Sequence, residues 1–456
     1  MNIKKIFKIL VAVITIFTTN IITINAEEVQ QRSINNYLDY VNYEWWYNFN
    51  DSNLERYILK AVLNNSDIKI LDFRVKEYEN FVKYTFGKEL PTVSASLMYN
   101  NVKDIPFNNM SIKQDGFMLP LSVIYELDLF GKNKLTTKSA KKQLEIYNYQ
   151  LQSAYISLVS SVSTIYFNLV RYNKIISLYD ELILIKQKIL EDEESLVRNG
   201  LSRDIKSNQI RQEVRTLKID RINILKNRDE LLTQFAVILG EMPSKAQNIK
   251  ISGFDKIDFT GSMDNAISSN VIFYRPDVLA VEKQLEKAEI DIKIARKEFL
   301  PTINLGASLV FNDMGAGGFF SSGSTIKSLM AGLTQPIFMG GRIKLNLNIK
   351  KIKYEELLEE YRKTTLQAVK EVNDSMVNMI YDNNITIMNF KNYLSERKNY
   401  DDFRTQYKNG LISYRDLLTY KQKLIAAEIT LVNSKIENYI DYISLYKSTA
   451  GYIDNN

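Results

Sequence analysis

Charged side chains gather beside two Asn-Gly pairs, and these are the residues of the chain best placed for chemistry. Arg198, Arg203 and Asp204 flank Asn199-Gly200, while Tyr407, Lys408, Arg415 and Asp416 flank Asn409-Gly410. Carboxylates and cations at such spacing can pair as a small ionic network. Acids also suit helix starts, so Asp204 and Asp416 equally fit a structural role through dipole and capping. Neither cluster supports bond-making chemistry. The chain has no cysteine and no histidine, which removes thiol nucleophiles, disulfides, Cys or His metal ligands and the commonest general base. It also carries no G-x-S-x-G elbow and no Walker-type phosphate loop. An enzyme is not expected, and no cofactor is implied.

The elements that must position these charges are long helices. From Lys132 to Leu239 there is no proline and Gly200 is the sole glycine; from Arg342 to Ala450 the same holds for Gly410. At 1.5 Å per residue the stretch before each glycine would run roughly 100 Å and the one after it roughly 60 Å, so breaks are expected within them. Leu151, Ala154, Leu158, Val162, Ile165 and Leu169 step by three or four, and Leu417, Leu424, Ala427 and Leu431 do so more loosely. The pattern predicts two antiparallel coiled-coil hairpins turning at the Asn-Gly pairs, where a positive φ is favoured.

The chain is written twice. Leu90-Pro91-Thr92 returns as Leu300-Pro301-Thr302, Phe130-Gly131-Lys132 as Gly340-Gly341-Arg342, and Arg198-Asn199-Gly200-Leu201 as Lys408-Asn409-Gly410-Leu411, all at an offset of 210. Each copy opens with a helix, Leu54 to Phe86 in the first and from about Pro276 in the second. The period then falls to two. Val93, Ala95, Leu97 and Tyr99 alternate with Thr92, Ser94, Ser96, Met98 and Asn100. Ile303, Leu305, Ala307, Leu309 and Phe311 alternate with Thr302, Asn304, Gly306, Ser308, Val310 and Asn312. Return strands are expected over Phe117 to Tyr125 and about Ile326 to Ile337, with turns holding Pro106 and Gly116, or Gly315, Gly317, Gly318 and Gly323. Pro91, Pro120, Pro301 and Pro336 fall near strand ends, and Gly131, Gly340 and Gly341 where strand must become helix.

Lys4, Lys5 and Lys8 precede an interrupted apolar run ending at Ala26, which reads as an export signal over residues 1–26. Its removal takes three lysines and no acid, so the net charge falls from +6 to +3, too small a balance for nucleic-acid binding. No later run has the continuous apolarity of a membrane-spanning helix. The alternating strands, about 9 to 11 residues each, fit either a soluble sandwich or strands that cross a bilayer. Export favours the second. Four strands cannot close a barrel and lipid forbids an open edge, so several chains must pool them; three would supply about twelve.

Longer ordered stretches carry a resemblance. Tyr274-Arg275-Pro276-Asp277-Val278 leads through Glu282, Leu285, Ala288 and Ile294-Ala295 to Phe299-Leu300-Pro301-Thr302-Ile303, and Leu333-Thr334-Gln335-Pro336-Ile337-Phe338 precedes Gly340-Gly341-Arg342. Tyr361-Arg362, Gln367-Ala368 and Glu371-Val372-Asn373-Asp374 follow, with Tyr125-Glu126-Leu127-Asp128-Leu129-Phe130-Gly131 and Trp45, Phe49 and Leu54 in the first copy. Over nearly the whole mature sequence the chain resembles the outer-membrane factor family, the TolC-like or NodT-like outer-membrane efflux proteins. The resemblance implies a mixed α+β membrane protein. A homotrimer would build one transmembrane β-barrel from four strands per chain, continuing into a long periplasmic α-helical barrel. A belt made of the N-terminal segment, residues 240–270 and the C-terminal tail would surround its middle. Many NodT-like members are lipoproteins, but this chain has no cysteine to lipidate.

The implied organisation is a signal over 1–26, a first repeat over 27–240, an equatorial linker over 241–270, a second repeat over 271–450 and a tail over 451–456. The implied partners are a periplasmic adaptor, an inner-membrane pump driven by protons or ATP, and outer-membrane lipid. By the same resemblance Asp416 and Asp204 line a periplasmic gate, and Arg198, Arg203, Lys408 and Arg415 lock it by pairing with those acids. Tyr407 plugs or packs, while Gly200, Leu201, Gly410 and Leu411 form the tip where the adaptor docks. Arg275 and Asp277 are expected to brace locally. The implied function is an exit duct for drugs or other small solutes. A type I protein or peptide secretion channel uses the same tunnel, and an exported coiled-coil protein without a pore is the reading from another class.

Overall fold

The computed structural model describes residues 44–107, 110–261, 269–312 and 325–451. The export segment, the glycines at 315, 317, 318 and 323, and residues 452–456 lie outside them. In chain order the elements are α1 (Glu44–Tyr47), α2 (Ser52–Asn64), α3 (Ser66–Gly87), β1 (Thr92–Ala95), β2 (Met98–Phe107), β3 (Met110–Leu127), α4 (Lys132–Arg198), α5 (Asp204–Ile238), α6 (Pro276–Lys297), β4 (Thr302–Asn312), β5 (Thr325–Thr334), α7 (Arg342–Lys408) and α8 (Tyr414–Ser448).

Elements at the 210 offset have equal lengths. The helices α3 and α6 have 22 residues each, α4 and α7 have 67, and α5 and α8 have 35. No break interrupts α4 or α7, contrary to expectation. With neither proline nor glycine inside them, nothing opens the hydrogen-bond ladder, and neighbouring helices support each along its length. The first α4 half lies against α3 and α6, and the second against α5 and α8.

The helix expected over Leu54 to Phe86 is in fact two. Asn65 ends α2 in an extended conformation, and its side chain accepts from the N–H groups of Asp67 and Ile68 to start α3. Its amide also donates to the Ile238 carbonyl at 3.1 Å, tying the break to the end of α5. Gly240 follows with a φ of +74°, and a Cβ there would lie 2.7 Å from the Asn64 carbonyl oxygen.

All the strands join one antiparallel sheet, ordered β1-β3-β4-β5, with β2 also on β3. The first strand is therefore interrupted, and Pro120 explains why. In an antiparallel ladder a residue turns both its N–H and its C=O toward the same neighbour. Pro120 accepts from Ser96 N–H at 3.1 Å but has no N–H to return, so pairing lapses between Ala95↔Leu121 and Met98↔Met118. Three other expectations are corrected. Pro120 is interior to β3 rather than at its end; Pro106 and Gly116 lie within β2 and β3 rather than in the turn; and β5 stops at Thr334, short of Ile337. Pro91 and Pro301 directly precede β1 and β4, and Pro336 lies between β5 and α7. Gly131 and Gly341, at φ +73° and +78°, are the N-caps of the two long helices, with Gly340 at +60° beside the second.

Aromatic packing closes the middle of the molecule. Trp45 stacks on Tyr446 at 4.4 Å, and Phe49 packs between Phe167, Phe259 and Tyr439. The core there draws on the N-terminal segment, the central part of α4, the end of α5, the 246–259 region and the end of α8. Arg275 braces it as expected. Its buried guanidinium bonds Asp277, Glu371 of α7 and the Ser448 carbonyl at the end of α8.

Candidate functional site

Each helical hairpin reverses through the same backbone device. Gly200 has a φ of +71° and donates to the Val197 carbonyl, while Leu201 donates to Leu196 O at 2.8 Å. Gly410, at +72°, and Leu411 repeat this on Tyr407 and Gln406. This Schellman arrangement needs a left-handed residue, which is why glycine occupies it. It leaves Leu201 and Leu411 projecting, 75% and 72% exposed.

The two helix starts beyond these turns differ. At α8 the cap is reciprocal: Asp416 N–H donates to Ser413 Oγ at 3.1 Å, and Ser413 N–H donates to Asp416 Oδ2 at 3.2 Å. The Ser413 hydroxyl, foremost, holds the Asp416 carboxyl below its usual range. Arg203 at the start of α5 makes no side-chain cap, and Asp204 accepts from the Ser207 hydroxyl.

The ionic link at this end was not among those expected. Arg415 pairs with Glu193, not with Asp204 or Asp416. Glu193 is fully shielded on α4, one oxygen accepting from Ser202 Oγ and the other from the Arg415 guanidinium, with Lys206 at 3.9 Å. The Ser202 hydroxyl and then Arg415 keep its carboxyl below the ordinary range against the opposing effect of burial. One carboxylate thus ties the first hairpin to the second. Its signal was in the sequence: Ile185, Ile189 and Glu193 step by four, so the acid continues a buried stripe. Arg198, Arg203 and Lys408 are exposed and make no ion pair within the chain among the described residues. Tyr407 packs on Tyr414, ring centres 5.5 Å apart.

At the opposite end the sheet has two unlike faces. Register places Val93, Val123, Ala307 and Leu329 in one row and Ala95, Leu121, Leu309 and Lys327 in the next. The other face carries Ser94, Ser122, Ser308 and Ser328 in one row, with hydroxyl contacts of 2.7 Å and 2.6 Å at its two ends. Aromatic residues bracket the apolar face: Tyr99 against Phe117 at 5.1 Å toward one end, and Tyr125 toward the other. From Phe117 to Leu127 the strand rises about 34 Å, or roughly 25 Å across a bilayer at barrel tilt.

A third cluster lies between α7 and α8. Asp441 is buried against Asp382, with one carboxylate oxygen lacking a donor, while Glu437 bonds Arg171 of α4 at 3.1 Å. Burial, then the Asp382 charge, pushes Asp441 up to about 7. A carboxyl raised above its unfolded value holds its proton longer in the folded state, so its contribution falls as pH rises from about 4 to about 7. Asp441→Asn should therefore raise the melting temperature more at pH 8 than at pH 5. Equal increments in thermal unfolding at the two values would refute this.

A two-faced sheet of membrane-crossing height, continuous with long helical hairpins, defines an outer-membrane channel subunit. The sequence profile described as "Outer membrane efflux protein" matches residues 58–241 and again 268–451. The cation efflux system protein CusC of Escherichia coli is 23% identical over 417 residues, covering 91% of this chain and 90% of that protein. The toxin and drug export protein A of Aggregatibacter actinomycetemcomitans is 24% identical over 458 residues, 98% of each. The solved Campylobacter jejuni CmeC outer membrane channel superposes with a TM-score of 0.82 at 21% identity, covering 91% of this chain and 89% of that one. The chain belongs to the outer membrane efflux protein family. It is a channel with a long periplasmic helical extension, and not an enzyme.

Proposed function

We propose that three copies form the exit duct of a tripartite system that passes small solutes from a periplasmic adaptor and an inner-membrane pump to the exterior. The carrying observation is the sheet: its apolar face has bilayer height, while β5 and the β1/β2 strand have no partner at their outer edges among the described residues. Lipid cannot satisfy those edges, and three chains close them into one barrel of about twelve strands. The long helices support the same assembly. Buried residues line α4 throughout, whereas α7 leaves Leu345, Ile349, Ile352, Leu366 and Ile380 uncovered, a stripe suited to a neighbouring copy. Inside the barrel the serine face supplies hydroxyls, and Glu126 is its one charge among the described side chains, which suits varied cargo.

At the periplasmic tip Glu193 and Arg415 hold the hairpins closed, exposed Asp416 from three chains rings the aperture with Asp204 beyond it, and Leu201 and Leu411 with their glycines receive the adaptor. Imaging of detergent-extracted protein tests the duct: a tapered three-fold tube with a detergent belt at one end is expected, and rods without a belt would refute it. Asp416→Ala tests the ring; cation preference in planar bilayers should fall, and unchanged selectivity would remove Asp416 from the gate.

A further inference from the structure

The seam between α7 and α8 holds a layer of buried oxygens with nothing to bond. Lys435 lies over the Phe390 ring at 5.8 Å, and Asp441 meets Asp382. These two contacts fix the antiparallel register of the seam. Thr386 lies four residues from both Asp382 and Phe390, and Asn438 lies three from both Lys435 and Asp441. Such spacings share one helix face, so Thr386 and Asn438 form the layer between the two contacts.

Thr386, Asn438 and Asp441 are each at least nine-tenths buried. Thr386 Oγ1, Asn438 Oδ1 and Asp441 Oδ2 have no hydrogen-bond partner among the described residues. Buried acceptors left bare are costly, and a second carboxylate beside them adds to the cost. Arg171 of α4 does not relieve them, because it bonds Glu437 at 3.1 Å and Asn168. Asp382 also lines a hollow of about 280 Å³ with Asn389, Asn433 and Ser434, which gives solvent a way to the pair.

We propose that one calcium ion per chain binds here, held by Asp382, Thr386, Asn438 and Asp441, with water from the hollow completing its shell. A proton would satisfy one carboxylate oxygen and leave the neutral oxygens bare, while a water molecule would leave both charges unbalanced. Two carboxylates balance a divalent ion. Calcium accepts mixed oxygens in irregular geometry, whereas magnesium demands a near-ideal octahedron. Among the described residues no three carboxylates cluster as metal ligands, so the affinity is that of a weak site. The ion clamps α7 to α8 within the second hairpin.

The test is isothermal titration calorimetry at pH 8 on the full-length protein in detergent, first stripped with a chelator. Wild type should take up one calcium ion per chain with a Kd of about 10⁻⁴–10⁻³ M, and magnesium should bind about tenfold more weakly. Asp441→Asn should abolish the uptake. It removes the repulsion between two acids, so the variant should fold at least as well. Asn438→Leu leaves every charge in place and should weaken calcium about tenfold, a loss that screening of two carboxylates alone would not produce. No uptake by wild type would leave water or a proton in the seam and overturn the site. Uptake unchanged in both variants would place the ion elsewhere, and equal affinity for magnesium would overturn the calcium assignment. None of these outcomes touches the duct reading, because the site lies within one chain.

Discussion

Arg415→Ala is expected to separate the two helical hairpins at the periplasmic tip and raise the open probability of the channel. The change leaves Glu193 shielded, charged and without its guanidinium partner. In a deep core, breaking such a pair costs about 3–5 kcal/mol. The tip is only a few helices thick, so the penalty here should be nearer the ~1–3 kcal/mol of a lost charged hydrogen bond. That still shifts a closed tip roughly fivefold to 150-fold toward opening. Glu193→Gln removes the charge while keeping the amide able to meet Ser202, so combining it with Arg415→Ala should recover part of the loss. Spin labels at Leu201 and Leu411 report the separation directly, and single-channel recording reports opening. An unaltered label distance in Arg415→Ala would show that the pair does not hold the tip.

Leu329→Arg should largely prevent assembly in the outer membrane. Leu329 pairs with Ala307 near the middle of the apolar face and is 90% exposed in the single chain. Arginine at bilayer mid-depth costs about 2–4 kcal/mol per position, and a trimer repeats it. Ser328→Arg is the matched control: one residue away, it faces the serine row and should insert normally while adding charge to the lumen. Leu305→Asp should act more weakly, because Leu305 pairs with Tyr125 near the periplasmic aromatic level. Outer-membrane fractionation with heat-resistant trimer bands on gels separates these outcomes. Normal assembly of Leu329→Arg together with failure of Ser328→Arg would mean the lumen and lipid faces are reversed.

Much of the architecture was legible because local rules govern it. A chain with no proline and one glycine over a hundred-residue stretch turns at that glycine, so both turns and the matching of the two hairpins follow from composition and the 210 spacing, whereas the breaks expected inside the long helices are absent. Alternation assigned the two sheet faces for the same reason, since strand side chains alternate whatever the partner. Proline misled in two places: Pro106 read as a turn residue yet lies within β2, and Pro120 read as a strand end yet sits inside β3 and interrupts the opposite strand.

What local pattern left open were the contacts between elements far apart in sequence. Asp204 and Asp416 stood out by lying next to the turns, but which acid receives Arg415 depends on how α8 seats against α4, and that seating selects Glu193, 222 residues away. The break at Asn65 is fixed by the end of α5, and Asp441 becomes unusual only because α7 brings Asp382 against it. Residue spacing thus determined where this protein turns and which strand face is apolar, since each depends on backbone geometry over a few residues. Tertiary structure alone decided which charges meet, because burial and pairing depend on distances that no local period encodes.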